Sequence, residues 1–243
     1  MSAYWTTRQS QARKHKLAGG ADRGLRSAVT GGAQMHGFIR LFTELIVAAG
    51  VDERCIHHSA ALELPGFFRP TKKWDLLVVR EGQLLVALET KSQTGPSFGN
   101  NFNNRAEEAI GTATDLWTAF REGAFNLSIR PWLGYLLLLE DCEASRRPIA
   151  VEEPHFPVLP EFKGASYAKR YELLIRKLTR ERLYDSPAFL LSAAGGTSTG
   201  SYAEPAEDLD FERLVRPLGP EDGGMRAPGR PPHSRTHTAL VSV

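Results

Sequence analysis

The sequence predicts a mixed α/β fold: one β-sheet flanked by helices on both faces. Three observations carry that prediction. Residues 74–93 (WDLLVVREGQLLVALETKSQ) hold two apolar runs, 76–79 and 84–88, about the polar turn Arg80-Glu81-Gly82-Gln83. Val- and Leu-rich runs around a Gly-containing turn read as a β-hairpin. Residues 132–139 (WLGYLLLL) form an apolar run that belongs in the middle of a sheet covered on both sides. Segments with helical apolar spacing lie before, between and after these strands. The order from residue 34 to 139 is α-β-β-β-α-β, a three-layer unit without the steady β-α alternation of a Rossmann fold.

Taken in order, residues 1–33 read as a basic N-terminal arm packing on or leading into the core. Arg8, Arg13, Lys14, Lys16, Arg23 and Arg26 face only Asp22, and Gly19-Gly20, Gly24 and Gly31-Gly32 interrupt any long helix. A solvated arm and an arm touching DNA phosphates both fit. From residue 34 to 49, Phe38, Leu41, Phe42, Leu45 and Ala49 recur at helical spacing and Gly50 follows as a stop. Residues 57–64 read as one short strand ending at Pro65-Gly66, with His57 and His58 structural or at the surface. Phe67-Phe68-Arg69-Pro70-Thr71-Lys72-Lys73 then places three cations and two aromatics ahead of the hairpin.

Beyond the hairpin, residues 94–105 read as a loop by composition. Its Asn100, Asn101, Asn103, Asn104 and Arg105 admit two readings. Asn and Arg pair bidentately with adenine and guanine in a major groove; Asn also serves turns and helix N-caps. The next helix runs to about Glu122 with Ala106, Ala109, Ile110, Ala113, Leu116, Trp117 and Phe120 as its stripe. A helix over 166–183 turns Tyr167, Tyr171, Leu174 and Leu178 inward beneath a cationic outer face. Residues 188–192 make a last strand. The main folded unit therefore spans 34–212. Residues 213–243 read as a disordered tail, since nine of the 17 residues in 217–233 are Pro or Gly.

The chemistry sits on the hairpin. Asp75 opens the first strand, and Glu89 and Lys91 close the second. Side chains alternate along a strand, so Glu89 and Lys91 share a face about 6–7 Å apart, with Thr90 pointing back. Charge on an apolar strand needs compensation. Asp75 lies opposite Glu89 if the hairpin has an odd loop or an equivalent bulge; a plain two-residue turn would send the carboxylates to opposite faces. We expect the odd loop or the bulge. Two facing carboxylates beside a lysine make a divalent-metal site suited to Mg²⁺. The alternative is a charged sheet edge with a salt bridge to Lys91. A second Glu-x-Lys, Glu161-Phe162-Lys163, lies in a Pro-flanked loop and shows how cheap the triplet is. Glu44 sits at the edge of its helical stripe.

Composition excludes several classes. With 243 residues and 42% hydrophobic content the chain can bury a sizeable core. Thirty Lys+Arg against 28 Asp+Glu give no bulk signal for nucleic acid. Cys55 and Cys142 have no metal-ligand spacing and fit a reducing cytosol. No apolar run reaches membrane-spanning length and no signal peptide is evident, so a cytoplasmic protein with no membrane partner is expected. Neither GxGxxG nor GxxxxGK[ST] occurs, against a nucleotide cofactor.

The helix, three strands, helix, strand order resembles the PD-(D/E)XK (restriction-endonuclease-like) nuclease core, with Trp74-Asp75 where that signature commonly has Pro-Asp. The runs GFFRPTKKWDLLVVR, KSQTGPSFGNNFNNRAEEAIG, PWLGYLLLLEDC and ASYAKRYELL resemble the XhoI family of type II restriction endonucleases, over roughly residues 24–211. The resemblance implies Mg²⁺-dependent cleavage of double-stranded DNA at the palindrome CTCGAG by a homodimer, functionally paired with a DNA methyltransferase. It implies that Asp75 and Glu89 hold the metal with the Thr90 carbonyl, that Lys91 orients or deprotonates water, and that Glu44 reaches a second metal through water. On that reading Arg69, Lys72 and Lys73 are candidates for phosphate contacts, the loop carrying Asn100, Asn101, Asn103, Asn104 and Arg105 is the first candidate base reader, and Gln93 joins the DNA-binding set. A structure-specific repair or recombination nuclease on the same core, and an inert DNA-binding protein, are the alternatives. The last thirty or so residues resemble nothing in the family.

Overall fold

A computed structural model describes residues 1–17, 33–126, 129–194 and 200–219. In chain order the elements are α1 (Ser2–Leu17), α2 (His36–Ala48), β1 (Ile56–His57), β2 (Glu63–Pro65), β3 (Thr71–Lys73), β4 (Leu76–Arg80) and β5 (Gln83–Gln93). They continue with α3 (Phe98–Arg121), β6 (Trp132–Glu140), α4 (Glu143–Arg146), α5 (Tyr167–Arg180), β7 (Ser186–Ser192) and α6 (Phe211–Val215). Five strands form one sheet in the order β1-β4-β5-β6-β7, and β2 and β3 form a separate hairpin. Pairing is antiparallel at β1/β4 and β4/β5 and parallel at β5/β6 and β6/β7. Parallel neighbours need a crossover, which α3 supplies between β5 and β6. The expected mixed sheet with helices on both faces is what the chain forms.

The sheet divides the core into two halves. On one side, Leu77, Ala87, Leu133, Leu137 and Phe189 pack with Ala113 and Leu116 of α3 and Tyr171 and Ile175 of α5. On the other, Leu76, Val78, Val86, Leu88, Leu136, Leu138 and Leu190 pack with Phe38, Phe42 and Ile46 of α2 and Leu214 of α6. β6 is buried on both faces from Leu133 to Leu139, as its unbroken apolar run requires.

The hairpin uses the bulge. Arg80 pairs with Gln83 across the two-residue turn Glu81-Gly82, and Val79 with Leu84. Both turn residues have positive φ, 52° and 74°, the geometry of the primed turns whose twist matches the flanking strands. Val78 then pairs with Val86, leaving Leu85 as the extra residue. The alternation shifts there: Leu84 joins the half-core beneath α3, while Leu85 and Val86 both join the half beneath α2. Leu84 therefore faces away from Val86 and Leu88, contrary to a reading by strict alternation. After the bulge Leu76 pairs with Leu88, so Asp75 comes abreast of Glu89.

Other elements differ from the sequence reading. The N-terminal residues expected as an arm form α1, whose Tyr4 and Trp5 are buried in the half-core under α2. Two aromatics two turns from the polar remainder are too few to register as an amphipathic pattern. Arg23 and Arg26 lie outside the described residues. α2 buries Phe38, Ile39, Phe42 and Ile46, with Leu41 exposed, because its stripe is rotated by about one residue from the expected one. The strand expected at 57–64 is split: β1 pairs with β4 and β2 with β3, with Ala61 at φ 54° between them. α3 begins at Phe98 rather than after Arg105, and it buries Thr112 and Asp115 while Ile110 is exposed. The described chain stays ordered past 212: Leu214 and Leu218 are fully buried, each contributing roughly 2 kcal/mol through apolar burial. Residues 220–243 of the expected tail lie outside the described residues.

Candidate active site

The end of β5 carries a cluster of four charged side chains. Glu89 is 3% exposed and its carboxylate is shared by two ammonium groups. Oε2 accepts from Lys72 Nζ at 2.7 Å, and Oε1 is ion-paired with Lys91 Nζ. Lys72 comes from β3, and its Nζ also donates to the Lys73 carbonyl and lies 4.6 Å from the Trp74 ring centroid. Asp75 is locked by a different device. Its Oδ2 accepts the Thr90 backbone N–H at 2.7 Å and the Thr90 hydroxyl at 2.9 Å, and its own N–H donates to the Leu88 carbonyl. Among the described residues Asp75 makes no ion pair within 4 Å.

Electrostatics separate the two carboxylates. Burial pushes the Asp75 carboxyl above its usual range, and the Glu89 charge pushes it the same way; the Thr90 donors only partly oppose them. Burial pushes Glu89 up as well, but Lys91 and Lys72 outweigh it and hold the carboxyl below its usual range. Burial alone would lower Lys91, yet the Glu89 charge raises it, so the ammonium stays protonated. The surroundings thus favour charge on Glu89 and disfavour it on Asp75.

Two cavities meet at this cluster. The larger, 940 Å³, is lined by Asp75, Glu89, Thr90 and Lys91 together with Ile39, Thr43 and Glu44 from α2. The smaller, 370 Å³, is lined by Arg69, Thr71, Glu108, Thr112 and Tyr135 on the α3 side. Lys72, Lys73, Glu89 and Lys91 line both. The catalytic candidates therefore stand on a ridge between two openings of the surface.

The structure gathers some of the sequence candidates and disperses others. Asp75, Glu89, Thr90, Lys91, Lys72 and Lys73 converge. Glu44 lines the larger cavity from α2, but its side chain is 66% exposed and faces Arg40 at 3.7 Å. Arg69 pairs with Asp115 at 2.7 Å and still lines the smaller cavity. Gln93 is turned inward: it is buried, its amide donates to the Thr94 carbonyl, and its Oε1 accepts from the Tyr171 hydroxyl. The Asn100–Arg105 stretch is not a loop but the first two turns of α3. Helical spacing puts Asn100, Asn103 and Asn104 together on its exposed face, whereas Asn101 is half-buried and Arg105 is ion-paired with Glu108. The cations of α5 are largely spent on neighbours: Lys169 and Arg176 on Glu172, and Lys177 on Glu161. Sequence reasoning assigned Lys72 to phosphates and missed its grip on Glu89; only the separate β2–β3 hairpin brings them together. It missed Asp115 altogether, because an Asp within a helical stripe carries no signal of its own.

A comparison with known proteins decides the family. Residues 14–204 match the family described as restriction endonuclease XhoI. The chain belongs to the XhoI family of type II restriction endonucleases. It is 56% identical over 200 residues to the type II restriction enzyme BstVI of Geobacillus stearothermophilus, covering 80% of this chain and 89% of that one. It is 49% identical over 187 residues to the type II restriction enzyme XhoI of Xanthomonas vasicola, covering 75% of each. A third relative, the type II restriction enzyme AbrI of Azospirillum brasilense, is 52% identical over 155 residues, 63% of this chain and 69% of that one. No solved structure matches the chain. This member of the XhoI family is accordingly a type II site-specific deoxyribonuclease with a restriction-endonuclease-like core.

Type II restriction enzymes act on double-stranded DNA within restriction-modification systems and generally need a divalent metal. The donor set fits such an ion. Asp75 and Glu89 line one cleft and could offer two hard oxygen ligands, the number Mg²⁺ takes while keeping several waters. Among the described residues no group of three or more His, Cys, Asp or Glu converges. A cation there would also offset the like charge that raises Asp75. No helix among the described residues is long and apolar enough to cross a membrane.

Proposed function

We propose that the enzyme hydrolyses phosphodiester bonds of double-stranded DNA at the palindrome CTCGAG, by Mg²⁺-assisted attack of water. The observation that carries this reading is the convergence of Asp75, Glu89 and Lys91 on one cleft of a chain about half identical to type II restriction enzymes. The site follows from its likeness to the XhoI family. Mg²⁺, when bound, supplies Lewis acidity at the phosphoryl oxygen and lowers the pKa of its water.

The chain's own residues do the rest. Asp75 and Glu89, with the Thr90 carbonyl, hold the ion, and Thr90 fixes Asp75 through its N–H and hydroxyl. Lys91 is kept protonated by Glu89, so it orients the water and offsets charge on the scissile phosphate rather than accepting a proton. Lys72 brings a second positive charge to the same carboxylate. Arg69 and Lys73 contact flanking phosphates, and Glu44, on the wall of the same cleft, would bind a second metal through water.

A palindrome read by one chain type calls for a two-fold homodimer with one active site per strand. The exposed face of α3 formed by Asn100, Asn103 and Asn104 is its base reader, with Asn101 and Arg105 supporting that turn. Asn103→Ala is expected to weaken discrimination against a one-base-pair mismatch by about 10-fold or more, measured by competitive cleavage. A cytoplasmic setting and a partner DNA methyltransferase complete the reading.

The decisive experiment digests a plasmid bearing one CTCGAG site beside a plasmid bearing none, with Mg²⁺. Linearisation of the first alone is expected. Cutting of both would replace the restriction reading with a structure-specific nuclease, and binding without any nick would replace it with an inert DNA-binding protein.

A further inference from the structure

The tip of the β2–β3 hairpin, residues 66–70, is held more firmly than an exposed turn requires. At its apex Phe67 and Phe68 are 51% and 69% exposed and pack edge to face with ring centroids 4.9 Å apart. Beneath them lies Asp115 of α3, only 4% exposed. Its Oδ1 accepts the backbone N–H of Phe67 at 2.9 Å and of Phe68 at 2.8 Å, and its Oδ2 accepts from Arg69 Nε at 2.7 Å. Gly66 makes that approach feasible: a Cβ there would stand 2.6 Å from Asp115 Oδ2 and 2.7 Å from the Arg69 carbonyl. The Gly66 N–H closes the turn on the Pro70 carbonyl. A buried carboxylate thus fixes the backbone that carries two exposed aromatic rings, together with the Arg69 side chain beside them.

The tip is also placed beside the chemistry. β3 runs from it to Lys72, whose Nζ touches Glu89. Four residues of extended chain span at most ~14 Å, so Phe68 stands within that distance of Lys72. The Lys72 side chain and its 2.7 Å contact add to that distance, so the tip stands several base-pair steps, at about 3.4 Å each, from the cleft at Glu89. Arg69, although paired with Asp115, lines the smaller cavity beside Lys73, and a cationic rim there suits a polyanion rather than a second copy of this chain. Apolar side chains held rigid beside cations are what wedges a base step open.

We propose that Phe67 and Phe68 form a base-step wedge, inserting into the stack of the bound duplex several steps from the cut bond. Asp115 is its positioning residue. The inference rests on the nuclease reading above and adds that DNA is distorted on binding.

The test uses the full chain with Ca²⁺ in place of Mg²⁺ and short CTCGAG duplexes carrying 2-aminopurine at successive positions. Anisotropy reports site-specific binding, and 2-aminopurine brightness reports unstacking. Brightness is expected to rise several-fold at one step, to vanish in a Phe67→Ala/Phe68→Ala variant that still binds, and to fall in Asp115→Asn. Because both rings are exposed, the double variant should melt at the wild-type temperature. Site-specific binding without brightening at any position would overturn the wedge alone. So would brightening that persists in the double variant, or a double variant that loses its dimer in sedimentation while brightness is unchanged; the tip would then be a subunit contact. Failure of the wild type to prefer CTCGAG duplexes would overturn the nuclease specificity and the wedge with it.

Discussion

The chain contains the same triplet twice, and the two copies have opposite fates. Glu89-Thr90-Lys91 ends a central strand, where Glu89 is nearly sealed from solvent and gripped by Lys72 and Lys91. Glu161-Phe162-Lys163 lies at a short 3₁₀ turn on the surface, where Glu161 meets Lys177 and Lys163 reaches toward Glu153. Both glutamates are ion-paired, so pairing does not distinguish them. What differs is that the strand puts Glu89 beside a second carboxylate, Asp75, on a cleft. A site is made by what the sheet brings to the triplet.

Substitutions can break or sharpen that contrast. The largest effect is expected from Glu89→Ala, which should lower CTCGAG cleavage by about 1,000-fold or more, while Glu161→Ala stays within about twofold in the same plasmid assay. Equal losses would erase the distinction. Asp75→Asn comes next. The amide oxygen can still accept from Thr90, so the hairpin keeps its shape while the charge is lost, and a drop of about 100- to 1,000-fold is expected with specific binding retained in a gel-shift.

Lys72→Met should cost about 10- to 100-fold and also move the pH profile. Removing one of the two cations that hold Glu89 below its usual range raises its carboxyl, so the acid loss of cleavage should begin at higher pH than in the wild type. A profile that does not move would show that Lys72 acts on DNA alone.

The smallest effect concerns a third buried carboxylate. Asp115 is as sealed as Glu89, but its oxygens are all committed to residues 67–69. Burial pushes its carboxyl up, and the N–H groups of Phe68 and Phe67 and the Arg69 guanidinium more than reverse that, leaving it below 3.8. Its contribution is therefore complete above the ordinary carboxylate range and is lost as pH falls through the depressed value. Asp115→Ala should lower stability to urea by on the order of 1 kcal/mol at pH 7, and the gap to wild type should close as the pH falls below about 3.8.

Most of the fold was legible because strand and helix periodicity is local. The apolar run at 132–139 announced a central strand, and the Tyr167, Tyr171, Leu174, Leu178 stripe announced α5, whose start Ser166 caps by accepting the Lys169 N–H. Misreadings arose where packing overrides local pattern. Tyr4 and Trp5 anchor α1 with too few apolar residues to mark it, α2 and α3 are rotated about their axes, and four asparagines disguised a helix start as a loop.

By itself the sequence determined which residues could do chemistry here: Asp75, Glu89 and Lys91, named by their charge on otherwise apolar strands. Tertiary structure decided the rest. The Leu85 bulge, which keeps Asp75 abreast of Glu89, depends on how the two strands settle into two half-cores, and alternation alone cannot reveal it. Lys72 reaches Glu89, and Asp115 reaches the Phe67–Phe68 tip, across 17 and up to 48 residues of chain. Contacts at such separations are fixed by how the elements pack, and no local pattern encodes them.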